Sequence, residues 1–149
     1  MDEFDISILN LLQKNARMTM SDISTRMNLS VPAISERIKK LESSGIIGQY
    51  TAILNSELMG KHLTAIMFVS LERPKYTDRF TELVMGEDEI LECNYLAGDF
   101  DYALKIVTEG TFTLEKLLFR IKSLQGVQKT RTIVVLSNIK NCFSVKPDT

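Results

Sequence analysis

A chain of 149 residues with 44% hydrophobic and 25% charged side chains is globular in composition. It is long enough for one ordinary domain or two small ones, and its core needs neither a disulfide nor a metal. A net charge of −1 excludes indiscriminate nucleic-acid binding, so any such contact must rest on local charge. Cys93 and Cys142 show no short ligand or redox spacing and read as reduced thiols. The start MDEFD lacks the basic and apolar regions of a secretion signal, and no 18-residue apolar run exists. A cytoplasmic protein with no membrane partner is expected.

Phe4, Ile8 and Leu12 recur at helical spacing with Leu9 beside them, so residues 3–15 predict a buttressing helix. A second helix starts at Thr19, whose hydroxyl can cap free amides while Asp22 completes a capping-box-like pair. Ile23 and Met27 share its inner face. Asn28 then supplies a residue that tolerates the positive φ of a sharp turn. Ser30 is a second cap, Pro32 falls in the first turn of a helix restarting near Val31, and Gly45 ends that helix as a left-handed cap. Ile34, Ile38 and Leu41 face a core. That spacing turns Pro32, Ala33, Ser35, Glu36, Arg37 and Lys40 towards or beside solvent. Two short helices around a tight turn, the second presenting Arg37, Lys39 and Lys40, have the plan of a helix-turn-helix. Between residues 26 and 40, Arg26, Arg37, Lys39 and Lys40 face only Glu36.

The β-branched and aromatic run at 46–54 reads as a hinge strand leaving this unit, and Asn55-Ser56 and Gly60 mark a polar, flexible passage. The expected organisation is a winged-helix-like helix-turn-helix domain at 1–45, a hinge strand and linker at 46–61, and a second domain at 62–149. In that domain residues 63–71 predict a strand, and Tyr76, Phe80, Leu83 and Val84 one face of a helix. Residues 90–97 and 100–107 predict strands about a Gly98-Asp99 turn. Leu114, Leu117, Leu118 and Ile121 form a helical stripe, and residues 130–136 a last strand. The order βαββαβ is the ferredoxin-like plan of an α+β domain, with two helices on one sheet face. Ile66, Phe68, Tyr95, Ile133 and Val135 are available to the other face. A second copy is its simplest cover, so a homodimer is expected. The tail from Asn138 reads as an edge strand or a loose end.

The segments DEFDISILNLLQKNAR, DISTRMNLS, SERIKKLESSGIIGQYTAILN, YLAGDFDYALKI and GVQKTRTIVVL occur in that order. They resemble the successive landmarks of the Lrp/AsnC (leucine-responsive, feast/famine) transcription regulators, over essentially the whole chain to about Leu136. Ser24 and Asn28 depart from the alanine and glycine that such turns often carry, but both are small or turn-tolerant. The resemblance implies double-stranded DNA as partner and a C-terminal domain that binds a small effector, usually an amino acid, where subunits meet. It also implies dimers that assemble into octamers. Ligand binding would act by linkage, favouring one assembly or hinge geometry over another.

For DNA recognition, Arg37 can pair bidentately with a guanine edge, whereas Lys39, Lys40 and Arg26 suit phosphates. Ser30 can divide its hydroxyl between cap and phosphate, and Pro32, Ala33 and Ser35 are compact enough to approach base edges. The competing reading pairs Arg37 and Lys40 with Glu36 as a solvated helix surface. For the effector, Gly98 permits close backbone approach, and Asp99 and Asp101 can attract an α-ammonium group beside Tyr102. Thr130 and Thr132 can donate to an α-carboxylate. The competing reading is a two-residue type II′ turn at Gly98-Asp99 and ordinary threonine alternation. His62 is the only histidine, so no multi-histidine metal site or Ser-His-Asp triad can be built, and no glycine-rich phosphate loop is present. Neither catalysis nor a cofactor is expected. The alternatives are an effector-independent DNA architectural protein and, by resemblance to some relatives, a tetrapyrrole decarboxylase on the same fold.

Overall fold

Each helix of the N-terminal half begins on a side chain that accepts one of its free backbone amides. Asp2 accepts the Asp5 amide at 2.9 Å while Asp5 accepts the Asp2 amide at 3.1 Å, closing a capping box on α1 (Glu3–Lys14). Thr19 and Asp22 close a second box on α2 (Met20–Met27). Ser30 accepts the Ala33 amide at 3.3 Å to start α3 (Val31–Ser43). Between α2 and α3, Asn28 takes the left-handed conformation with φ 53°. Ser24 stitches the turn, its hydroxyl donating to the Leu29 carbonyl while its own carbonyl accepts the Leu29 amide. Its departure from alanine therefore has a structural use. Ile8, Ile23, Ile34, Ile38 and Leu41 converge as the core, with Leu9 at its edge.

The computed structural model describes residues 1–148 and divides into two compact units. The first comprises Met1–Ile53 with the tail from Lys140, which returns to α1 through a hydrogen bond from Gln13 to the Val145 carbonyl. The expected second domain ran on to 149. Here the tail groups with the helices instead, and Thr149 lies outside the described residues. Residues 46–54 form no strand and no β-wing. A strand needs a ladder partner, and no described segment of the chain supplies one. Residues 55–60 close as a hydrogen-bonded turn in which Asn55 accepts the Leu58 amide.

The second unit, Leu54–Ile139, contains β1 (Leu63–Leu71), a short 3-10 turn, α4 (Thr77–Met85), β2 (Ile90–Tyr95), β3 (Tyr102–Thr108), α5 (Thr111–Lys122) and β4 (Val127–Val135). The sheet is wholly antiparallel in the order β2-β3-β1-β4, the ferredoxin-like arrangement. Strict alternation on β3 buries Tyr102, Leu104, Ile106 and Thr108, which join Ala65, Met67 and Val69 of β1 against Phe80, Val84, Leu114, Leu117 and Ile121 of the helices. Thr108 is satisfied by Glu89 at 2.7 Å and by Thr113.

The opposite face carries Ile66, Phe68, Ile133 and Val135, with Ile66 37% and Ile133 48% exposed. Tyr95 was expected there. It stands opposite Tyr102 with the rings 5.4 Å apart, on the helix-covered side, because directly opposed residues share a face. The acidic run at 87–89 is used internally: Glu87 takes Arg120 bidentately at 2.7 Å, and Glu89 takes Thr108.

Gly126 is the tightest backbone position, with φ +97° and with any added Cβ meeting Tyr76 Cγ at 2.1 Å. Gly126→Ala should therefore destabilise the chain by about 2–4 kcal/mol in urea unfolding, from overpacking and left-handed strain together. Gly98→Ala, in open space without positive φ, should be near neutral.

The caps also set an acid response. Asp2 is held below the ordinary 3.8 chiefly by the Asp5 amide, with Arg37 adding to it, and Asp22 by the Thr19 hydroxyl and amide. Depressed values in the folded chain mean that this stabilisation is complete above 3.8 and fades as pH falls through the lowered values. Helical circular dichroism on acid titration should show an unfolding limb below about pH 4 that Asp22→Asn makes shallower.

Candidate DNA-reading and effector-binding sites

With Ile34, Ile38 and Leu41 buried, α3 exposes a stripe of Val31, Pro32, Glu36, Lys39 and Lys40, flanked by half-buried Ala33, Ser35 and Arg37. Six of the residues expected to meet DNA thus lie together: Ser30 and Pro32 at the helix start, Ala33 and Ser35 beside them, Lys39 and Lys40 further along. Their chemistry suits a duplex, with small side chains and a capped N-terminus leading and two ammonium groups following. Arg26 lies on α2 and lines a groove with Phe4, Asn10, Leu11, Lys14 and Met27.

Arg37 has a partner that neither sequence reading anticipated. Its Nη1 donates to Asp2 Oδ1 at 2.9 Å, Asp2 Oδ2 at 2.8 Å and Asp5 Oδ1 at 2.7 Å, and its guanidinium carbon sits 5.3 Å from the Phe4 ring centroid. The pair to Glu36 is not made. The Asp5 and Asp2 carboxylates push the guanidinium further up from its ordinary value, so it is a fixed cation turned on α1. Tyr50, beyond α3, donates to Glu42 at 2.9 Å; burial and then that carboxylate push its phenol up to about 12.

The effector candidates divide between the loop joining β2 to β3, which carries Gly98, Asp99 and Asp101, and the strands β3 and β4, which carry Tyr102, Thr130 and Thr132. Residues 96–101 form a longer loop than the two-residue turn weighed from the sequence, and Gly98 lacks the positive φ that a type II′ turn requires. Asp101 anchors the loop: its amide donates to the Val69 carbonyl, its carbonyl accepts the Leu96 amide, and its Oδ2 accepts the Leu71 amide at 2.8 Å. This carboxylate is committed to backbone. Gly98 and Asp99 remain exposed, and Ser70 reaches the Asp99 carbonyl at 3.4 Å.

Tyr102 is 8% exposed and packs on Phe80 with ring centroids 4.7 Å apart, so it belongs to the helix-side core. Thr130 and Thr132 oppose Val69 and Met67, which puts them on that same side. On the open side the sequence reading missed a stack. Phe100 lies 5.5 Å from Phe68, and the Lys129 ammonium sits 5.1 Å from the Phe100 centroid. Its signal was the alternation of Lys129 and Arg131 with Thr130 and Thr132 on β4.

Comparison with known proteins matches both units. The winged helix-turn-helix DNA-binding model covers residues 1–47, and the Lrp/AsnC ligand binding domain model covers residues 64–145. The leucine-responsive regulatory protein of Haemophilus influenzae is 38% identical over 143 residues, which is 94% of this chain and 86% of that protein. The HTH-type transcriptional regulator FL11 of Pyrococcus abyssi is 37% identical, covering 94% of this chain and 92% of its own. Among solved structures, a transcriptional regulator of Neisseria meningitidis in complex with L-Met superposes with a TM-score of 0.92 at 33% identity, covering 97% of this chain and 96% of that one. An exposed recognition helix and a ferredoxin-like sheet, each matched by its own family model, thus make this chain a member of the Lrp/AsnC family of DNA-binding transcription regulators.

Proposed function

We propose that this regulator reads its operator through the exposed stripe of α3 and senses an amino acid at the loop end of the sheet. The observation that carries the DNA half is the joint exposure of Ser30, Pro32, Lys39 and Lys40 beside Ala33 and Ser35 on one capped helix. Pro32, Ala33 and Ser35 approach base edges; Ser30, Lys39 and Lys40 take phosphates, and Arg26 takes a flanking phosphate. For the effector, Asp99 is the carboxylate left free to meet an α-ammonium group, next to the accessible backbone of Gly98. Asp101 anchors that loop, and Tyr102, Thr130 and Thr132 stand on the helix-covered face of the same sheet. An amino-acid ligand accords with the L-Met complex of the Neisseria relative and the leucine-responsive name of the Haemophilus one.

The domains divide functionally at 45 and 61, with 1–45 reading DNA and the body that begins at 62 sensing and assembling, the tail from Lys140 being grouped with the first unit. The open face of the sheet, bearing Ile66, Phe68, Ile133 and Val135, pairs with a second copy, and dimers build an octamer. The protein works in the cytoplasm, without catalysis and without a cofactor, as its relatives are transcription regulators.

Duplexes selected by the protein from a random library should shift in a gel at fixed salt, and one or a few of the twenty amino acids should alter the shift. Lys39→Ala and Lys40→Ala should each lower the salt dependence by about one counterion without changing the selected sequence. Asp99→Asn should abolish the amino-acid response and spare ligand-free binding. An amino-acid response that survives Asp99→Asn removes that residue from the sensor.

Sedimentation tests the assembly separately. Ile66→Asp should convert oligomers to monomers, and an unchanged size distribution would move the interface off this face.

A further inference from the structure

The contact between Arg37 and the start of α1 gives the centre of the recognition helix a partner outside DNA. With its two hydrogens, Nη1 donates one to Asp5 Oδ1 at 2.7 Å and shares the other between the two Asp2 oxygens at 2.8 and 2.9 Å, and both carboxylates are themselves the capping box of α1. Charge-assisted bonds of this length are the strong kind. Phe4 closes the arrangement from α1 by lying under the guanidinium. Moving Arg37 to a guanine would give up its contacts with both carboxylates. It would also leave the Asp2 and Asp5 carboxylates, still bonded to the capping-box amides, without their counter-charge.

We infer that Arg37 is a positioning residue, whose ion pair with Asp2 and Asp5 sets the recognition helix against α1 in the orientation that DNA reading requires. The inference rests on α3 being the reading element and adds what aims it. Asp2 and Asp5 become part of the DNA-binding machinery although their charge has the wrong sign for DNA. The clamp also joins residues more than thirty positions apart, so the first and third helices move as one body.

The sign of the charge makes the test decisive. In the full chain, binding to a duplex selected from a random library by the unaltered protein is compared for Asp5→Asn, Arg37→Ala, the double variant and Arg37→Lys. A clamp predicts that both single variants weaken binding about tenfold, and that the double variant is no weaker than either alone, since contacting partners are non-additive. The salt dependence should stay unchanged and Arg37→Lys should recover part of the loss. A reading role predicts the reverse: Asp5→Asn binds as well or better, and Arg37→Ala alone loses affinity along with about one counterion of salt dependence.

Amide exchange without DNA separates the clamp from the DNA-reading assignment. Faster exchange at residues 34–38 in both Asp5→Asn and Arg37→Ala is expected, and unchanged exchange overturns the clamp. If the unaltered protein selects no duplex, the reading helix is misassigned, while exchange still decides whether Arg37 holds α3.

Discussion

The N-terminal unit depends on one constraint: helix starts leave backbone amides with no intrahelical acceptor, and a unit of three short helices has three such starts close together. Asp2, Thr19 and Ser30 meet that need with short side chains whose accepting oxygens lie two or three bonds from Cα. Because the acceptors are so close to the main chain, they also fix where each helix begins. Where a helix begins fixes which residues face inward, so the phase of Ile34, Ile38 and Leu41 follows from Ser30 as much as from hydrophobicity. The exposed stripe of α3 is the complement of that phase. The stripe assigned to DNA in the proposed function is therefore set by the cap as well as by the apolar pattern.

Local features of this kind were legible in the chain. The Thr19–Asp22 box, left-handed Asn28, the Ser30 cap with Pro32 behind it, and Gly45 at φ +78° each act within four residues, and each was found where the residue types placed it. The helical stripes of α4 and α5 and the strand at 63–71 were legible for the same reason, their signal being periodic over a whole element. Arg37 shows where this ends. Its charge and its helical position are visible, but nothing local distinguishes a guanidinium that points at DNA from one that turns back to Asp2 and Asp5. The pairing is made by the packing of α1 on α3.

The sheet teaches the same lesson through register. Alternation puts Thr130 and Thr132 on one side of β4, and that much can be read directly. Which side it is depends on β1, where Met67 and Val69 oppose them and are fully buried. Tyr102 and Tyr95 go to the helix side by the same pairing rule, and Phe100 and Lys129 come together on the other. A one-residue change of register would exchange the faces, so a ligand site on a sheet is legible only once its partners are known. The hinge run at 46–54 is the extreme case, strand-like in composition yet without a ladder, because composition describes a strand's side chains and not its hydrogen-bond partner.

These constraints bear on how a ligand can influence DNA binding. An effector shifts an equilibrium only as far as it binds two states unequally. The loop at 96–101 is pinned to β1 by Asp101, whose amide, carbonyl and carboxylate are all engaged, so its backbone is a poor candidate for the element that moves. Asp99 is exposed on that fixed loop, and the open face beyond Phe100 has exposed apolar residues with no cover from their own chain. A ligand held at Asp99 in the proposed function acts on whatever packs on that face rather than through the Asp101 anchor. In the proposed function, the differential affinity that regulation needs is accordingly sought in the packing of copies against one another.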